Sequence, residues 1–259
     1  VLVGGAVAER PSRLVAAGEP LELLGPAPPF VGRGGDKLDA ALDRFALDVR
    51  GATALDAGAS TGGFTDCLLQ RGATRVVAVD VGHGQLHPRL RDDPRVVVLE
   101  RTHVRSLTVE TLVGTVGPGV APVDVVTADL SFISLTAAVP ILAGPVARTG
   151  APMVLLVKPQ FEVGRADASR GRGVVRDPGL WRQALDAVAS SLVAATAAIM
   201  GAMPSPVTGA AGNTEFLLHA VAHAGPAPAG TTALLEAAVG EATVARGSAA
   251  PGGTAGAPG

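Results

Sequence analysis

The sequence predicts an α/β fold in which a parallel, doubly wound sheet carries helices on both faces. Short runs of β-branched and apolar residues alternate with segments of helical periodicity between residues 53 and 157. Hydrophobic residues make up 47% of the 259 residues, which is enough to form the core of such a domain. Several predicted strands end directly before a charged residue, and open α/β sheets bind ligands beyond the carboxyl ends of their strands.

The segment before this alternation is short and irregular. In residues 1–30, VLVGGAVAERPS predicts a hairpin and LELLGPAPPF predicts a strand that leads into a linker. These residues are too few to fold alone. Residues 31–45 have apolar side chains at helical spacing after a Gly-Gly turn, with Lys37 near the start of the helix.

The remaining elements follow in chain order. We predict strand Thr53–Ala57, helix 61–71, strand 75–80, helix 84–91, strands 95–99 and 123–128, helix 135–147 with a kink at Pro140, strand 153–157, helix 180–200 and strand 216–222. Residues 162–178 form a glycine- and arginine-rich loop that is long enough to act as a lid. After His223 the composition shifts to Ala, Gly and Pro, which predicts a low-complexity tail over residues 224–259, with one helix at 231–245 followed by disorder.

Composition limits the class and the compartment of the protein. The closest approach to a membrane span, residues 187–203, contains serines and threonines and follows charged residues, which favours an amphipathic core helix. A single cysteine, Cys67, allows no internal disulfide, which is typical of a cytoplasmic protein. The sequence starts at Val1, without a basic segment before an apolar run, so we expect no signal peptide and a truncated start.

The glycine-rich segment LDAGASTGGFTD, residues 55–66, predicts a strand, a turn and a helix N-terminus that together bind a ligand. Neither a dinucleotide fingerprint nor a phosphate-loop motif fits it. Asp56, directly before the turn, suits a ligand with an ammonium group, and Asp80, at the end of the next strand, can bind ribose hydroxyls. S-adenosylmethionine carries both groups. A plain βαβ turn without a ligand is the alternative explanation.

Lysine is rare in this chain, and its positions are therefore informative. Of the 21 lysine and arginine residues, only Lys37 and Lys158 are lysine. Lysine can lose its proton whereas arginine stays charged, which indicates proton transfer at these positions. Lys158 follows a strand, as Asp80 and Asp129 do, so we expect these side chains at one edge of the sheet. A structural ion pair between Asp129 and Lys158 is the alternative.

The formal net charge of −2 gives little support for a nucleic-acid partner, but the arginines are clustered. One group lies within residues 89–105 and another within residues 165–176. Both groups are consistent either with solvated loops or with contacts to RNA phosphates.

Eight motifs, in order along the chain, resemble a known family. They are GRGGDKL, LDAGASTGGFTDCLL, VDVGHGQL, DPRVVVLERT, DLSFISL, VKPQFEVGR, GVVRDP and SP…GN.E. Over about residues 31–221 the chain resembles the hemolysin A (TlyA) family of ribosomal RNA 2′-O-methyltransferases, whose catalytic domain is FtsJ-like. The resemblance implies a Rossmann-like, S-adenosylmethionine-dependent methyltransferase sheet over residues 31–223. It also implies that residues 1–30 are the remnant of a small N-terminal RNA-binding domain with its linker.

The resemblance assigns roles to individual residues. The catalytic tetrad of the family falls on Lys37, Asp129, Lys158 and Glu215. The expected cofactor site, with residues 100–102 near the adenine, comprises Asp56, Gly58, Ser60, Thr61, Gly62, Gly63, Phe64, Asp80, Glu100, Arg101 and Thr102. The expected RNA contacts are Arg33, Arg165, Arg170, Arg172 and Arg176. No metal is expected, because no second pair of ligands with zinc spacing accompanies His83 and His103.

The implied reaction is methyl transfer from S-adenosylmethionine to the ribose 2′-hydroxyl of ribosomal RNA, with cytidine as the target and ribosomal subunits as the partner. The sequence departs from the family pattern at Gly32, Asp36, His83 and His103, which weakens the expectation for RNA docking and cofactor affinity. Two other functions remain open: a catalytically silent RNA-binding protein and a membrane-active hemolysin. The absence of a membrane segment from the sequence disfavours the second.

Overall fold

The computed structural model describes residues 1–10, 12–25, 28–117, 121–164, 167, 171–209, 212–225 and 230–248. The strands are, in chain order, β1 Leu2–Val3, β2 Ala6–Val7, β3 Leu21–Glu22, β4 Thr53–Ala57, β5 Arg75–Val79, β6 Val96–Leu99, β7 Val125–Ala128, β8 Pro152–Val157, β9 Ala198–Pro204 and β10 Phe216–Val221. The helices are α1 Gly34–Arg44, α2 Gly63–Gln70, α3 Pro88–Arg91, α4 Val109–Val116, α5 Leu135–Leu142, α6 Pro159–Glu162, α7 Pro178–Ala194 and α8 Thr231–Ser248. A short 3₁₀ helix spans Val104–Ser106.

A seven-stranded sheet with the order β6-β5-β4-β7-β8-β10-β9 forms the centre of the structure. Strands β4 to β8 pair in parallel, as the alternation of strands and helices predicts. Strand β10 runs antiparallel to both of its neighbours, so the prediction of a parallel sheet is wrong at this strand. Strand β4, which leads into the glycine-rich turn, lies between β5 and β7.

Helices cover both faces of this sheet. Ala54 and Leu55 point to opposite faces of β4, because side chains alternate along a strand, and both are fully buried. Leu55 belongs to a hydrophobic cluster that includes Trp181 of α7. Ala54 belongs to a second cluster that includes Leu42 of α1 and Leu68 of α2. The predicted α/β class with helices on both faces is therefore confirmed.

Residues 198–204 form the edge strand β9, and the prediction of a helix that continues to residue 200 is wrong. Helix α7 ends at Ala194, and Thr196 adopts a φ of +60° in the turn that follows. The predicted helix contains no Gly, Pro or Asn between residues 180 and 200 that would mark this turn. Pairing of β9 with β10 and packing under α8 decide its conformation instead.

Helices α3, α5 and α4 also differ from the prediction. The helix expected over residues 84–91 is confined to α3, because the preceding backbone turns to bind acids: Gly82 N donates to Asp80, and Gly84 N donates to Glu100. Helix α5 contains Pro140, as expected, but ends at Leu142. Helix α4 lies in a stretch for which the sequence predicted no element.

The reversal of β10 decides where Glu215 lies. Glu215 directly precedes β10, and the start of a strand would lie at the opposite edge from the carboxyl ends in an all-parallel sheet. Because β10 runs antiparallel to β8, with Phe216 opposite Val157, Glu215 lies at the edge where β8 ends. The charged residues expected at strand ends therefore meet Glu215 at one edge of the sheet.

The two ends of the chain lie outside the central sheet. Residues of the N-terminal segment form a three-stranded antiparallel sheet, β2-β1-β3, which confirms the predicted hairpin. That this segment is the remnant of an RNA-binding domain stays a prediction. Helix α8 confirms the predicted C-terminal helix, and residues 249–259 of the predicted disordered tail lie outside the described residues. Within the described part of the chain, no helix is long and apolar enough to cross a membrane.

Candidate active site

Two ion pairs at the carboxyl-terminal edge of the sheet contain all four predicted catalytic residues. Lys37 Nζ, in α1, lies 2.6 Å from Oε2 of Glu215. Lys158 Nζ, directly after β8, lies 2.6 Å from Oδ1 of Asp129, directly after β7. Both lysines are 8% exposed. The structure therefore brings the predicted tetrad together as two lysine–carboxylate pairs.

The pair of Lys37 and Glu215 is buried between α1 and the start of β10. Glu215 is only 3% exposed, and Gly209 leaves room for its carboxylate, because a Cβ atom at residue 209 would collide with it. Burial of a charged group is unfavourable unless an opposite charge accompanies it. Loss of either partner would therefore leave an uncompensated charge in the interior.

Lys158 has contacts beyond its ion pair. Its Nζ donates a hydrogen bond of 2.9 Å to Ser131 Oγ and lies 5.8 Å from the centre of the Phe161 ring. Asp129 is held by the sheet, since its N–H donates to the carbonyl oxygen of Ala57 at 2.9 Å. The amine is thus fixed at the surface of the crevice next to the glycine-rich turn.

The glycine-rich turn approaches the segment after β7 closely. Gly58 has a φ of +85°, and a Cβ atom at this position would lie 2.5 Å from the carbonyl oxygen of Asp129. Ser60 has a φ of +48°, and its N–H donates to Oδ2 of Asp80 at 2.8 Å. Glycine at residue 58 is therefore required by both backbone conformation and space, and the turn connects the ends of β4, β5 and β7.

Two adjoining cavities lie on this turn. The larger has a volume of about 260 Å³, and the predicted cofactor residues that line it are Gly58, Ser60, Asp80 and Thr102. The smaller has a volume of about 150 Å³ and is lined by residues that include Thr61, Gly63, Phe64 and Lys158. The wall that both cavities share is formed by Gly58, Ser60, Asp129 and Ser131. A ligand in the larger cavity would therefore reach the space in front of the Lys158 amine.

Asp56 lies beneath the turn and not on its surface. It is fully buried, and its Oδ2 accepts a hydrogen bond of 2.6 Å from Thr65 Oγ1. Its Oδ1 has no hydrogen-bond partner among the described residues. Burial, with a smaller contribution from the charges of Asp129 and Asp80, raises the pKa of Asp56 to about 7. Contact between Asp56 and a cofactor ammonium group stays a prediction.

Three further cofactor candidates have other contacts. Gly62, with a φ of +100°, packs against Leu86 and Leu90. Glu100 accepts a hydrogen bond of 2.8 Å from Gly84 N and is paired with Arg91, whose hydrogen bond is the main cause of the lowered pKa of Glu100. Arg101 is exposed, with a φ of +53°. Their contact with a cofactor also stays a prediction.

Two of the four residues that depart from the family pattern, His83 and His103, lie at the rim of this region. His83 Nδ1 lies 2.7 Å from Glu100 Oε2, and His103 lines the larger cavity. Among the described residues, no group of three or more His, Cys, Asp or Glu side chains is placed to hold a metal ion.

Sequence reasoning missed several residues of the larger cavity. They are Gln85, Ser131, Phe132 and Ile133. Phe132 is 93% exposed and has a φ of +66°, both of which are unfavourable for an aromatic residue. The motif DLSFISL could have identified this segment, because it directly follows the carboxyl end of β7.

The arginines expected to contact RNA are solvent-exposed where the structure describes them. Arg33, Arg172 and Arg176 are exposed and form no ion pair with any described residue, whereas Arg165 and Arg170 lie outside the described residues. Some arginines on other surfaces have carboxylate partners at 2.7 Å or less, as in Arg50–Asp48, Arg71–Asp39 and Arg95–Asp93, whereas Arg101 and Arg105 are exposed without an ion pair to any described residue. The free guanidinium groups are available to an anionic partner.

Comparison with known proteins identifies the family. The sequence profile of the FtsJ-like methyltransferases matches residues 30–222, which is most of the chain. The chain belongs to the FtsJ-like methyltransferase family. The match contains both lysine–carboxylate pairs and the residues of both cavities, so the crevice lies within the FtsJ-like domain.

Individual relatives confirm the resemblance to the hemolysin A (TlyA) family. The chain is 51% identical over 189 residues to the 16S/23S rRNA (cytidine-2′-O)-methyltransferase TlyA of Mycobacterium tuberculosis. The aligned region covers 73% of this chain and 67% of the relative. The chain is 42% identical over 224 residues to the putative rRNA methyltransferase YqxC of Bacillus subtilis, covering 84% and 77% of the two chains. The crystal structure of a putative hemolysin from Lactococcus lactis is similar with a TM-score of 0.75 at 34% identity, covering 83% of this chain and 99% of that chain.

We predict that Asp56→Asn makes the free energy of unfolding less dependent on pH. The pKa of Asp56 in the folded protein is about 7, above its usual value of about 3.9, so the folded protein binds a proton that the unfolded chain releases between these values. The stability that this proton contributes is fully present at low pH and is lost as the pH rises to about 7. Asparagine cannot ionise but can still accept the Thr65 hydrogen bond.

Urea unfolding at about pH 5 and about pH 8 measures this difference. The wild-type protein should lose more stability than Asp56→Asn between the two conditions, while the exposed variant Asp92→Asn controls for the removal of one carboxylate. Equal losses in the wild type and Asp56→Asn would contradict a raised pKa for Asp56.

Proposed function

We propose that this protein transfers a methyl group from S-adenosylmethionine to the ribose 2′-hydroxyl of a cytidine in ribosomal RNA. The observation that carries the proposal is the position of Lys158 and its carboxylate partner, which border both the glycine-rich turn and an open crevice. The identity to a relative named as a 16S/23S rRNA (cytidine-2′-O)-methyltransferase supports ribosomal RNA as the substrate and cytidine as the target. Ribosomal subunits in the cytoplasm are the proposed setting of the reaction.

The larger cavity is the proposed cofactor site. The backbone at Gly58 and Ser60 and the carboxylate of Asp80 form its polar wall, and apolar side chains such as Val79 and Ile133 provide a surface for the adenine. S-adenosylmethionine supplies an electrophilic methyl group on a sulfonium sulfur. In the proposed orientation, that end of the bound molecule lies at the wall shared by the two cavities, next to Lys158.

Lys158 is the proposed proton acceptor. In its neutral form, Nζ takes the proton of the 2′-hydroxyl while the oxygen forms a bond to the methyl carbon and the carbon–sulfur bond breaks. The resulting ammonium lies beside the Asp129 carboxylate, which stabilises the charge that the transfer creates. Lys37, which is paired with Glu215, keeps α1 in place and contributes the second ammonium group of the tetrad. Alignment of oxygen, methyl carbon and sulfur supplies a further part of the rate.

The proposed path of the RNA follows exposed arginines that precede α1 and α7 in the chain. Arg33, Arg172 and Arg176 have no carboxylate partner among the described residues, and Arg165 and Arg170 belong to the same proposed path. The exposed ring of Phe132, at the mouth of the larger cavity, offers a stacking surface for an unpaired base.

We predict that Lys158→Arg abolishes methyl transfer while the fold and cofactor affinity are retained. A guanidinium keeps the positive charge beside Asp129 but stays protonated at any workable pH, so it cannot accept the hydroxyl proton. Single-turnover methylation of ribosomal subunits across pH, with cofactor affinity measured in parallel by calorimetry, provides the test. Near-normal turnover by Lys158→Arg would exclude the lysine as the base.

Lys37→Arg is the matched control for this substitution. Its loss should be smaller than that of Lys158→Arg, because arginine keeps the charge that Lys37 provides and can still pair with Glu215. Equal and complete losses in both variants would contradict the different roles proposed for the two lysines. Subunit binding without methylated RNA would instead favour a silent RNA-binding protein, and liposome leakage caused by the pure protein would favour a membrane-active hemolysin.

We predict that Asp80→Ala weakens binding of S-adenosylmethionine by about 1–3 kcal/mol, as expected for lost hydrogen bonds to a charged group. Asp80 also accepts hydrogen bonds from Ser60 N and Gly82 N, so its loss loosens the turn as well as the contact with the ribose. Calorimetry measures the affinity, with the exposed variant Asp92→Ala as the charge-matched control. Unchanged affinity of Asp80→Ala for S-adenosylmethionine would show that Asp80 does not contribute to the cofactor site.

We predict that reversing the charge of Arg172 and Arg176 weakens binding to ribosomal subunits and reduces its salt dependence. Affinity falls as the salt concentration rises. Each phosphate contact that is lost should reduce the magnitude of the slope of log affinity against log salt concentration by about 0.7–0.9. The double variant of Arg50 and Arg95, which are paired with Asp48 and Asp93, carries the same change in net charge and should keep the wild-type slope. An unchanged slope in the variant of Arg172 and Arg176 would indicate that these arginines are solvated and do not contact RNA phosphates.

A further inference from the structure

The amine of Lys158 has two polar neighbours with different geometries. Ser131 Oγ accepts a hydrogen bond of 2.9 Å from Nζ. Oδ1 of Asp129 is closer, at 2.6 Å, and pairs with Nζ as an opposite charge, without a hydrogen bond to any described group. Asp129 therefore compensates the charge of Lys158, whereas Ser131 is the residue that fixes the direction of an Nζ–H bond.

Ser131 lies where the two cavities meet. It lines the larger cavity and the smaller one, and it stands between Asp129 and the exposed Phe132. Its own side chain is exposed, so removal of the hydroxyl leaves the hydrophobic core unchanged. A functional defect in a Ser131 variant would therefore have its cause in the crevice.

We propose that Ser131 is a positioning residue that orients the Lys158 amine for proton transfer. This inference rests on the proposed methyl transfer and adds a residue to it. A neutral amine has two N–H bonds and one lone pair, and rotation about the Cε–Nζ bond exchanges their directions. A hydrogen bond from one N–H to Ser131 Oγ stops this rotation and keeps the lone pair directed to one side.

The proton balance of the step leaves Ser131 unchanged. The ribose hydroxyl loses its proton to Nζ, its oxygen forms the bond to the methyl carbon, and sulfur leaves as a neutral thioether. Ser131 accepts a hydrogen bond from the amine before transfer and from the ammonium after it, and it neither gains nor loses a proton. Its contribution is the orientation of the base.

The kinetic test compares Ser131→Ala, Ser131→Thr and Ser190→Ala in steady-state methylation assays in which the concentrations of cofactor and RNA are varied in turn. Ser131→Ala should lower kcat about 10- to 100-fold with unchanged KM values, because a misdirected base loses part of its general-base contribution of about 10²–10⁴-fold. Ser131→Thr keeps a hydroxyl at the same atom and should restore kcat to within a few-fold of wild type. Ser190 is exposed on α7, away from the crevice, and its variant should behave as wild type.

A second test measures the mobility of the Lys158 side chain directly and does not depend on activity. Because Lys37 and Lys158 are the only lysines, protein labelled with ¹³C-lysine gives NMR signals for two Cε groups. Ser131→Ala should increase the mobility of the Lys158 Cε–Nζ group, Ser131→Thr should restore its order, and Lys37 should stay unchanged as an internal control.

Several outcomes would overturn the inference. A normal kcat in Ser131→Ala, equal defects in the alanine and threonine variants, or unchanged mobility of Lys158 would each exclude an orienting role. If Ser131→Ala changed only the KM for the RNA, Ser131 would instead be a contact for the RNA. If Lys158→Arg is inactive while Ser131→Ala is normal, the proposed function stands and only this inference fails; if the wild type transfers no methyl group, the proposed function fails with it.

Discussion

The buried ion pair between Lys37 and Glu215 joins two parts of the chain that are 178 residues apart. Both charged groups are removed from solvent, so each requires the other, and α1 is held against the start of β10. With α1 held there, Gly34 packs beside Asp129, since a Cβ atom at residue 34 would lie 3.8 Å from Asp129 Oδ2. The ion pair thus fixes the helix that closes one side of the crevice containing Lys158.

Close backbone approach connects this crevice to the larger cavity. Gly58 leaves the space that the carbonyl group of Asp129 occupies, and Asp80 accepts hydrogen bonds from the same turn. A side chain at residue 58 would displace Asp129 and, through it, the ion pair with Lys158. The cavity proposed for the cofactor and the amine proposed as the base are therefore coupled through one turn, with the buried Asp56 beneath it.

Much of the site could be predicted because its features are local in the sequence. An apolar run followed by a charged residue identified Asp80 and Lys158, and the scarcity of lysine selected Lys158 by a separate argument. The sequence also predicts that Asp56 contacts a ligand, and this stays a prediction, because Asp56 shares a face of β4 with Ala54 and points towards Thr65 in α2. Serine has no distinctive pattern, so only the contact with Lys158 singles out Ser131.

By itself, the sequence determined the α/β class, the turn after β4, the charged residues at strand ends and the family to which the chain belongs. Only the tertiary structure decided that residues 198–204 form a strand, that β10 is reversed and that Lys37 pairs with Glu215. Periodicity and residue type report interactions among near neighbours in the chain. Strand direction and the partner of a buried charge depend on the packing of segments far apart in sequence, which no local pattern records.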